Sequence, residues 1–430
     1  MSRTEEMIQA LRTPETQAHL ADLYGSRGDE VAKQTERYEQ LIRRFEATFG
    51  DAEGAMVFSA PGRTEIGGNH TDHNNGRVLA ASVNLDTLCV ASPREDTLVR
   101  FHSEGYSPIT LDLKDLDPVP EENGTTAALI RGVADGMAKA GYKIGGFNAV
   151  VTSTVAGGSG LSSSAALEVM LTGVLDGLFN DFAMPFAERA TISKRAENVY
   201  FGKPSGLLDQ MASAAGGLVT VDFQDETNPL VRALQFDFAK RGFALVVVAT
   251  GGSHADLTDQ YAAIPKEMMQ IASFFGQKTL RGVTENALLN AMQDLRSRAS
   301  DRAIMRAFHF TQENERVVKQ VAALDADDME SFLSLITESG RSSFMYLQNV
   351  YAGNDDQSLS LALCMAEAML KGKGAWRVHG GGFAGTTLNF VPLDMVEDFT
   401  KEMDLAFGQG ASHVLNIRPV GADMMPLDTL

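Results

Sequence analysis

The chain of 430 residues is 44% apolar and 22% charged, the proportions of a folded protein rather than a disordered one. Its 56 acidic residues against 37 basic ones leave a formal net charge of -19, which repels nucleic acid and anionic membrane over most of the surface but permits a local phosphate pocket. The distant Cys89 and Cys364 make neither a disulfide framework nor a thiolate zinc site, the N-terminus lacks a signal-peptide core, and no run approaches ~18 apolar residues, so a cytoplasmic α+β or α/β protein is expected.

Residues 5–46 are helical in pattern, with a sparse apolar stripe of Ile8, Leu11, Leu20, Leu23, Tyr24, Leu41, Ile42 and Phe45. One or two helices laid on a domain surface are expected. Residues 55–60 read as a short strand that Pro61-Gly62 stops. A loop rich in Gly and Asn follows, ending at Asn75-Gly76, which resembles a hairpin turn. Strands are expected over 77–90 and 96–102, a helix over 124–140 and a strand over 145–154. A long apolar helix over 162–179, a helix over 185–201 and a strand over 217–223 come next. The run 243–249 is a buried strand by composition. Residues 258–350 are mostly helical, 356–371 form another helix, and 386–391 a last strand. The texture changes near 230–250, which divides the chain into an N-terminal helical extension (1–45), an N-terminal α+β domain (46–235) and a C-terminal α+β domain (236–430).

Between the strand at 145–154 and the apolar helix lies Gly157-Gly158-Ser159-Gly160-Leu161-Ser162-Ser163-Ser164. Glycines allow a ligand close to the backbone, and the first-turn N–H groups of a helix have no partners within it. Such a site favours an anion, and one of the three hydroxyls suits a magnesium ion. The plainer reading is a flexible turn with a serine cap. No Lys-Ser or Lys-Thr follows, so this is no Walker loop. A second cluster, Gly380 through Gly385 and including Gly381, precedes the last strand.

Residues 62–76 hold a dense set of polar groups. Arg63 suits a phosphoryl group or a carboxylate, and Asn69, His70 and Asp72 suit the hydroxyls of a sugar. A metal site of His70, Asp72 and His73, or a purely structural polar loop, are the alternatives. Farther on, Glu197 falls on a helix. Asp209 follows a Pro-Ser-Gly turn among Leu207, Leu208 and Met211, where it either caps a helix or has a chemical role.

These segments together resemble the galactokinases, within the small-molecule kinases that include homoserine, mevalonate and phosphomevalonate kinases. The resemblance rests on Ala60-Pro61-Gly62-Arg63 through His70-Thr71-Asp72-His73-Asn74-Asn75-Gly76, on Gly158 through Ala166, and on Gly380 through Gly385, in that order. It implies a two-domain α+β kinase fold with the active site in the interdomain cleft, and it implies ATP and Mg2+. By the resemblance Asp209 and Arg63 are catalytic. Asn69, His70, Asp72 and Tyr261 bind the sugar. Gly157, Gly158, Ser159, Gly160, Ser162, Ser163 and Gly381 hold the nucleotide, and Ser164 and Glu197 hold the metal. The implied reaction carries the ATP γ-phosphoryl to the anomeric hydroxyl of galactose, giving α-galactose 1-phosphate.

The chain departs from the family at several positions. Asn69 stands where a glutamate is usual, His73 where a tyrosine is, Ser205 where a cysteine is, and Ala156 where a proline opens the phosphate loop. A kinase of galacturonate, arabinose or an N-acetylhexosamine, and a non-catalytic sugar sensor, are therefore the competing readings. The expected partners are a small-molecule sugar and ATP, with no nucleic acid and no membrane, on a monomer or weak homo-oligomer.

Overall fold

The computed structural model describes residues 2–427 other than Arg27, 156–159, Pro204, 226–227, 252–256, 352–356 and Ala384. Three helices open it: α1 (Arg3–Ala10), α2 (Pro14–Tyr24) and α3 (Glu30–Phe49). One or two helices were expected from the apolar stripe. The extra break comes from Thr13-Pro14: the threonine side chain accepts from Thr16 N and proline opens a new helix. The stripe itself is buried along all three helices, with Met7 and Tyr38 added to it.

The next elements are β1 (Met56–Gly67), β2 (Arg77–Pro93), β3 (Leu98–Ser103), β4 (Ile109–Asp112), α4 (Thr126–Lys139) and β5 (Phe147–Ser153). Then come α5 (Ser163–Phe179), α6 (Phe186–Arg195), α7 (Leu208–Ala215), β6 (Leu218–Asp222) and β7 (Leu230–Leu234). A π-helical turn, Ala196–Phe201, extends α6. The second half holds β8 (Phe243–Ala249), α8 (Thr258–Phe274), α9 (Glu285–Asn290), α10 (Met292–Arg298), α11 (Asp301–Asp325) and α12 (Met329–Ser342). It ends with α13 (Ser358–Leu370), β9 (Ala375–His379), β10 (Thr386–Pro392), α14 (Val396–Phe407), β11 (Ser412–Leu415) and β12 (Asp423–Met424).

Two sheets organise these elements into two sheet-containing domains of mixed α/β character. Among the described residues the first sheet has eight strands in the order β12-β1-β2-β5-β3-β4, with β6 and β7 continuing from the other end of β2. Only the β3–β5 pair is parallel. The second sheet is antiparallel, β11-β8-β10-β9. Alternate residues of the first sheet serve two cores. Phe58, Cys89, Ala91 and Val151 face the cluster built by α4 to α7, whereas Val57, Leu88, Val90 and Val150 face the N-terminal helices. The N-terminal helices are thus a third layer rather than an appendage. Among the described residues no helix is long and apolar enough to cross a membrane.

One departure from the sequence reading bears on the site. Pro61-Gly62 does not stop β1, which runs on to Gly67. The register against β2 shifts between Pro61 and Arg63 and again between Glu65 and Gly67. A bulge tolerates the missing proline N–H and re-aims the side chains beyond it. Residues 62–67 of the polar segment first read as loop are therefore strand.

A buried charge cluster ties the layers together behind the site. Asp86 is fully buried and accepts from Tyr24 Oη at 2.5 Å, Arg37 Nη1 at 2.6 Å, Arg418 Nη1 at 3.3 Å and the Ser59 hydroxyl. Its backbone carbonyl accepts from Thr154 N at 2.9 Å, at the end of β5 where the phosphate loop begins.

Candidate active site

Arg63 lies just past the first bulge of β1, and Asp209 in the first turn of α7. The guanidinium grips the carboxylate with two bonds, Nε to Oδ1 at 2.6 Å and Nη2 to Oδ2 at 2.7 Å. Its third nitrogen, Nη1, donates to the Gly160 carbonyl at 2.5 Å. Ser162 Oγ donates to Asp209 Oδ2 at 2.7 Å. Burial pushes the Asp209 carboxyl up, but the charge and hydrogen bonds of Arg63 and Ser162 outweigh it and hold the group below the usual carboxylate range. Asp209 is therefore ionised at neutral pH. Its oxygens accept from Arg63 and Ser162, with room for a further donor at Oδ1, and α7 has no side-chain cap, so it is not a mere helix cap.

Ser162 precedes α5 in a left-handed conformation, φ 60°, and its side chain does not cap the helix. The first-turn N–H groups of α5, where Ser163 and Ser164 lie, have no side-chain cap and remain suited to an anion. Gly157, Gly158 and Ser159 lie outside the described residues.

Ser164 and Glu197 do come together. Ser164 Oγ donates to Glu197 Oε1 at 3.0 Å, and Lys203 Nζ reaches the same oxygen at 2.9 Å. Oε2 accepts from Ser205 Oγ at 2.5 Å and Gln210 Nε2 at 2.9 Å. Gln210 also donates to Glu168 Oε2 at 3.0 Å, while Glu168 Oε1 is buried without a partner among the described residues. Burial and the charge of Glu197 push Glu168 well above the carboxylate range. Lys203 stays charged: burial lowers it, and the attraction of Glu197 more than offsets that. The expected location of Glu197 on an ordinary helix is refined by the π-helical turn, which aims it at Ser164.

The polar loop closes a second region. Asn69 is fully buried; its Nδ2 donates to Glu65 Oε1 at 2.9 Å and the Gly380 carbonyl at 2.7 Å. Its Oδ1 accepts from Ser343 Oγ at 3.0 Å and Asn349 Nδ2 at 2.9 Å. His70, at φ 56°, donates from Nε2 to the Gly381 carbonyl at 3.0 Å. Burial brings its pKa down to about 4, so the ring is neutral. Tyr261 Oη donates to the Gly382 carbonyl at 2.6 Å, and its ring lies so close to Gly381 that an added Cβ would stand 2.7 Å from Cε1. Glu313 anchors the loop by accepting from Gly68 N at 3.0 Å and Ser339 Oγ at 2.6 Å. Asp72 links the two regions. Burial, then the charge of Asp209, raise its pKa to about 6, and a Cβ at Gly206 would collide with its Oδ2 at 1.7 Å. Gly206 is thus required by close approach to Asp72.

Among the described residues no three His, Cys, Asp or Glu side chains meet as a metal site, so the alternative centre of His70, Asp72 and His73 does not form. Ser164 and Glu197 present hard oxygen donors, which fit a magnesium ion that keeps most of its shell as water and phosphate oxygen. Sequence reasoning missed Glu65, Glu168, Lys203, Gln210, Asn349 and Arg377. Glu65 was within reach: it stands two residues after Arg63, and strand alternation puts the two on one face. The others are brought in by tertiary packing and carry no local signal.

The comparisons with known proteins agree with this geometry. Residues 43–93 match the model for the galactokinase galactose-binding signature, and residues 128–217 that for the GHMP kinases N terminal domain. The chain is 32% identical to the galactokinase of Streptomyces coelicolor over 370 residues, covering 85% of this chain and 91% of that one. It is 30% identical to the galactokinase of Homo sapiens over 403 residues, covering 90% and 96%. The crystal structure of Lactococcus lactis galactokinase complexed with galactose superposes with a TM-score of 0.78 at 25% identity, covering 89% of this chain and 98% of that one. With the Arg63–Asp209 pair, the Ser164–Glu197 pair and the signature loop in place, the chain belongs to the galactokinase family of the GHMP kinases.

Proposed function

We propose that the protein transfers the γ-phosphoryl group of ATP to the anomeric hydroxyl of galactose, releasing α-galactose 1-phosphate and ADP. The observation that carries this reading is the bidentate Arg63–Asp209 pair, set between the uncapped start of α5 and the signature loop. The ligands would lie in a cleft between residues 46–235 and 236–430, where Gly380–Gly382 meet the loop of Asn69 and His70. Residues 1–45 would pack behind the first wall.

Phosphoryl transfer needs positioned charge more than covalent help. The N–H groups at the start of α5 would bind the phosphates. Ser164 and Glu197 would hold Mg2+, which when bound neutralises phosphate charge. His70, Asp72 and Tyr261 would border the sugar. Asp209 would orient the anomeric hydroxyl and take its proton as the oxygen attacks phosphorus, while the bond to the ADP oxygen breaks. A carboxylate held this firmly ionised is a weak base, so orientation and favourable charge are its larger contribution. Arg63 would offset the charge of the phosphoryl group and keep Asp209 in place.

An ATP-coupled screen against galactose, galacturonate, arabinose, N-acetylgalactosamine and glucose tests this. Galactose should give the highest kcat/KM, with phosphorus on C1 by NMR. A higher kcat/KM for another sugar would overturn the substrate and keep the chemistry. Sugar binding with no turnover on any of them would overturn the kinase reading.

A further inference from the structure

We propose that Glu65 is a sugar-reading carboxylate of this site and that Asn69 is the positioning residue that holds it; this rests on the sugar-kinase reading above. An amide has two donor hydrogens and two acceptor lone pairs. All four are used at Asn69: Nδ2 on Glu65 Oε1 and Gly380, Oδ1 by Ser343 and Asn349. The residue is fully buried and has nothing left for a ligand.

Glu65 is in the opposite condition. Its Oε1 is taken by Asn69 at 2.9 Å and by Arg377 Nη2 at 2.8 Å. Among the described residues its Oε2 takes no hydrogen bond, and it is not among the polar atoms sealed from solvent. The ladder from Arg63 to Glu65 is unbroken, Arg63 opposite Ser82 and Glu65 opposite Ala80, so both side chains leave β1 on one face. Arg63 on that face holds Asp209. Burial pushes the Glu65 carboxyl up to about 7 against the opposing charges of Arg377 and then Arg63, and the Asp72 charge also acts on it, so it lies in the field of the reacting groups and is ionised in part at neutral pH. This oxygen is open to solvent, so a sugar that displaces its water must replace the hydrogen bond, and a hydroxyl donating to Oε2 does so. Such a bond discriminates strongly, because a sugar lacking the hydroxyl leaves the oxygen unpaired.

The purely structural alternative is that Glu65 serves only to pair Arg377. The two differ in a cycle between protein and substrate. kcat and KM would be measured for galactose and its 2-, 3-, 4- and 6-deoxy forms, with wild type and Glu65→Gln. At about pH 8, above the Glu65 pKa of about 7, loss of a hydrogen bond to this charged group should raise the galactose KM about 10–100-fold, with kcat changed much less. That loss should vanish for the one deoxy sugar lacking the hydroxyl that Glu65 reads. Equal losses on all five sugars, or none on any, would overturn the proposal. Glu65→Asp keeps the charge for Arg377 and withdraws Oε2 by one methylene; it should show the same selective pattern, and it decides the matter if Glu65→Gln does not fold. Asn69→Asp, which turns a donor to Glu65 into a second acceptor, should show the same selective pattern in weaker form because it acts through Glu65; equal losses on all five sugars would remove the holding role, and selectivity for a different hydroxyl would reverse the two roles. If wild type turns over a different sugar, the proposed function fails, and the same cycle on that sugar's deoxy forms still tests Glu65.

Discussion

The two regions of the site are built on opposite electrostatic principles. Around Asn69 the charges are paired, Glu65 with Arg377 and Glu313 with Arg316, every polar atom of the amide is filled, His70 is uncharged, and Tyr261 is pinned to Gly382. Around α5 and α7 the groups are charged and crowded. Glu197 and Asp209 share a small volume with Arg63 and Lys203, and beside them Glu168 is pushed toward its protonated form and has an oxygen without a partner among the described residues. Shape and hydrogen-bond register are what discriminate among sugars, and a frame of paired charges and filled hydrogen bonds supplies both. Phosphate needs cations, and carboxylates that attract cations must be held apart until those cations arrive. The first region is preorganised; the second is poised.

Breaking the charged region should cost the most. Asp209→Asn removes the ionised partner of Arg63 and should lower kcat by roughly 10²–10⁴-fold. ATP affinity by calorimetry should change by no more than a few-fold. An unchanged kcat would remove Asp209 from the chemistry.

The paired frame around Asn69 should fail through stability instead. Glu313 anchors Gly68, and although burial pushes its carboxyl up, Arg316 and its other neighbours bring it down to about 2. A folded pKa below the unfolded value of about 4.3 means the stabilisation is complete above that pH and is lost as pH falls toward 2. Glu313→Gln should lower stability near neutral pH by roughly 3 kcal/mol and flatten its acid dependence. Urea unfolding from pH 6 to pH 3 checks this; parallel curves for the two proteins would contradict it.

Asn69→Asp replaces two donors by an acceptor facing Glu65. It should cost about 1–3 kcal/mol, read as a fall in Tm. A Tm equal to wild type would show that the amide is not part of the frame.

The smallest expected effect is at Lys203. Its ammonium shares Glu197 Oε1 with Ser164, and its side chain is 56% exposed, so solvent screens much of its charge. Lys203→Met should lower the Mg2+ concentration for half-maximal activity several-fold, and added salt should shrink the difference. An unchanged or higher requirement would mean that Lys203 does not compete for Glu197.

Much of this molecule was legible in its sequence, for identifiable reasons. The apolar stripe of the N-terminal helices, the buried strand Phe243–Ala249 and the apolar helix α5 are written in local periodicity and composition. The ordered motifs around Arg63, Ser162 and Gly380 identified the family, because a site that binds phosphate and sugar needs unusual residues at short spacing. The same resemblance pointed to Asp209 and Glu197, which the structure sets against Arg63 and Ser164. What local pattern could not supply was everything set by long-range contact. Proline reads as a stop until β2 supplies a bulged partner, so β1 looked too short and Glu65 was left out of the site. The π-helical turn that aims Glu197, the lysine beside it, and the sheet pairing of β12 with β1 carry no signal of their own. Asn69 shows the division most clearly. The sequence by itself determined that an amide stands in the sugar loop. Only the tertiary structure decided that Glu65, Ser343, Asn349 and Gly380 use all of its hydrogen bonds, because those partners come from segments up to 311 residues away in the chain.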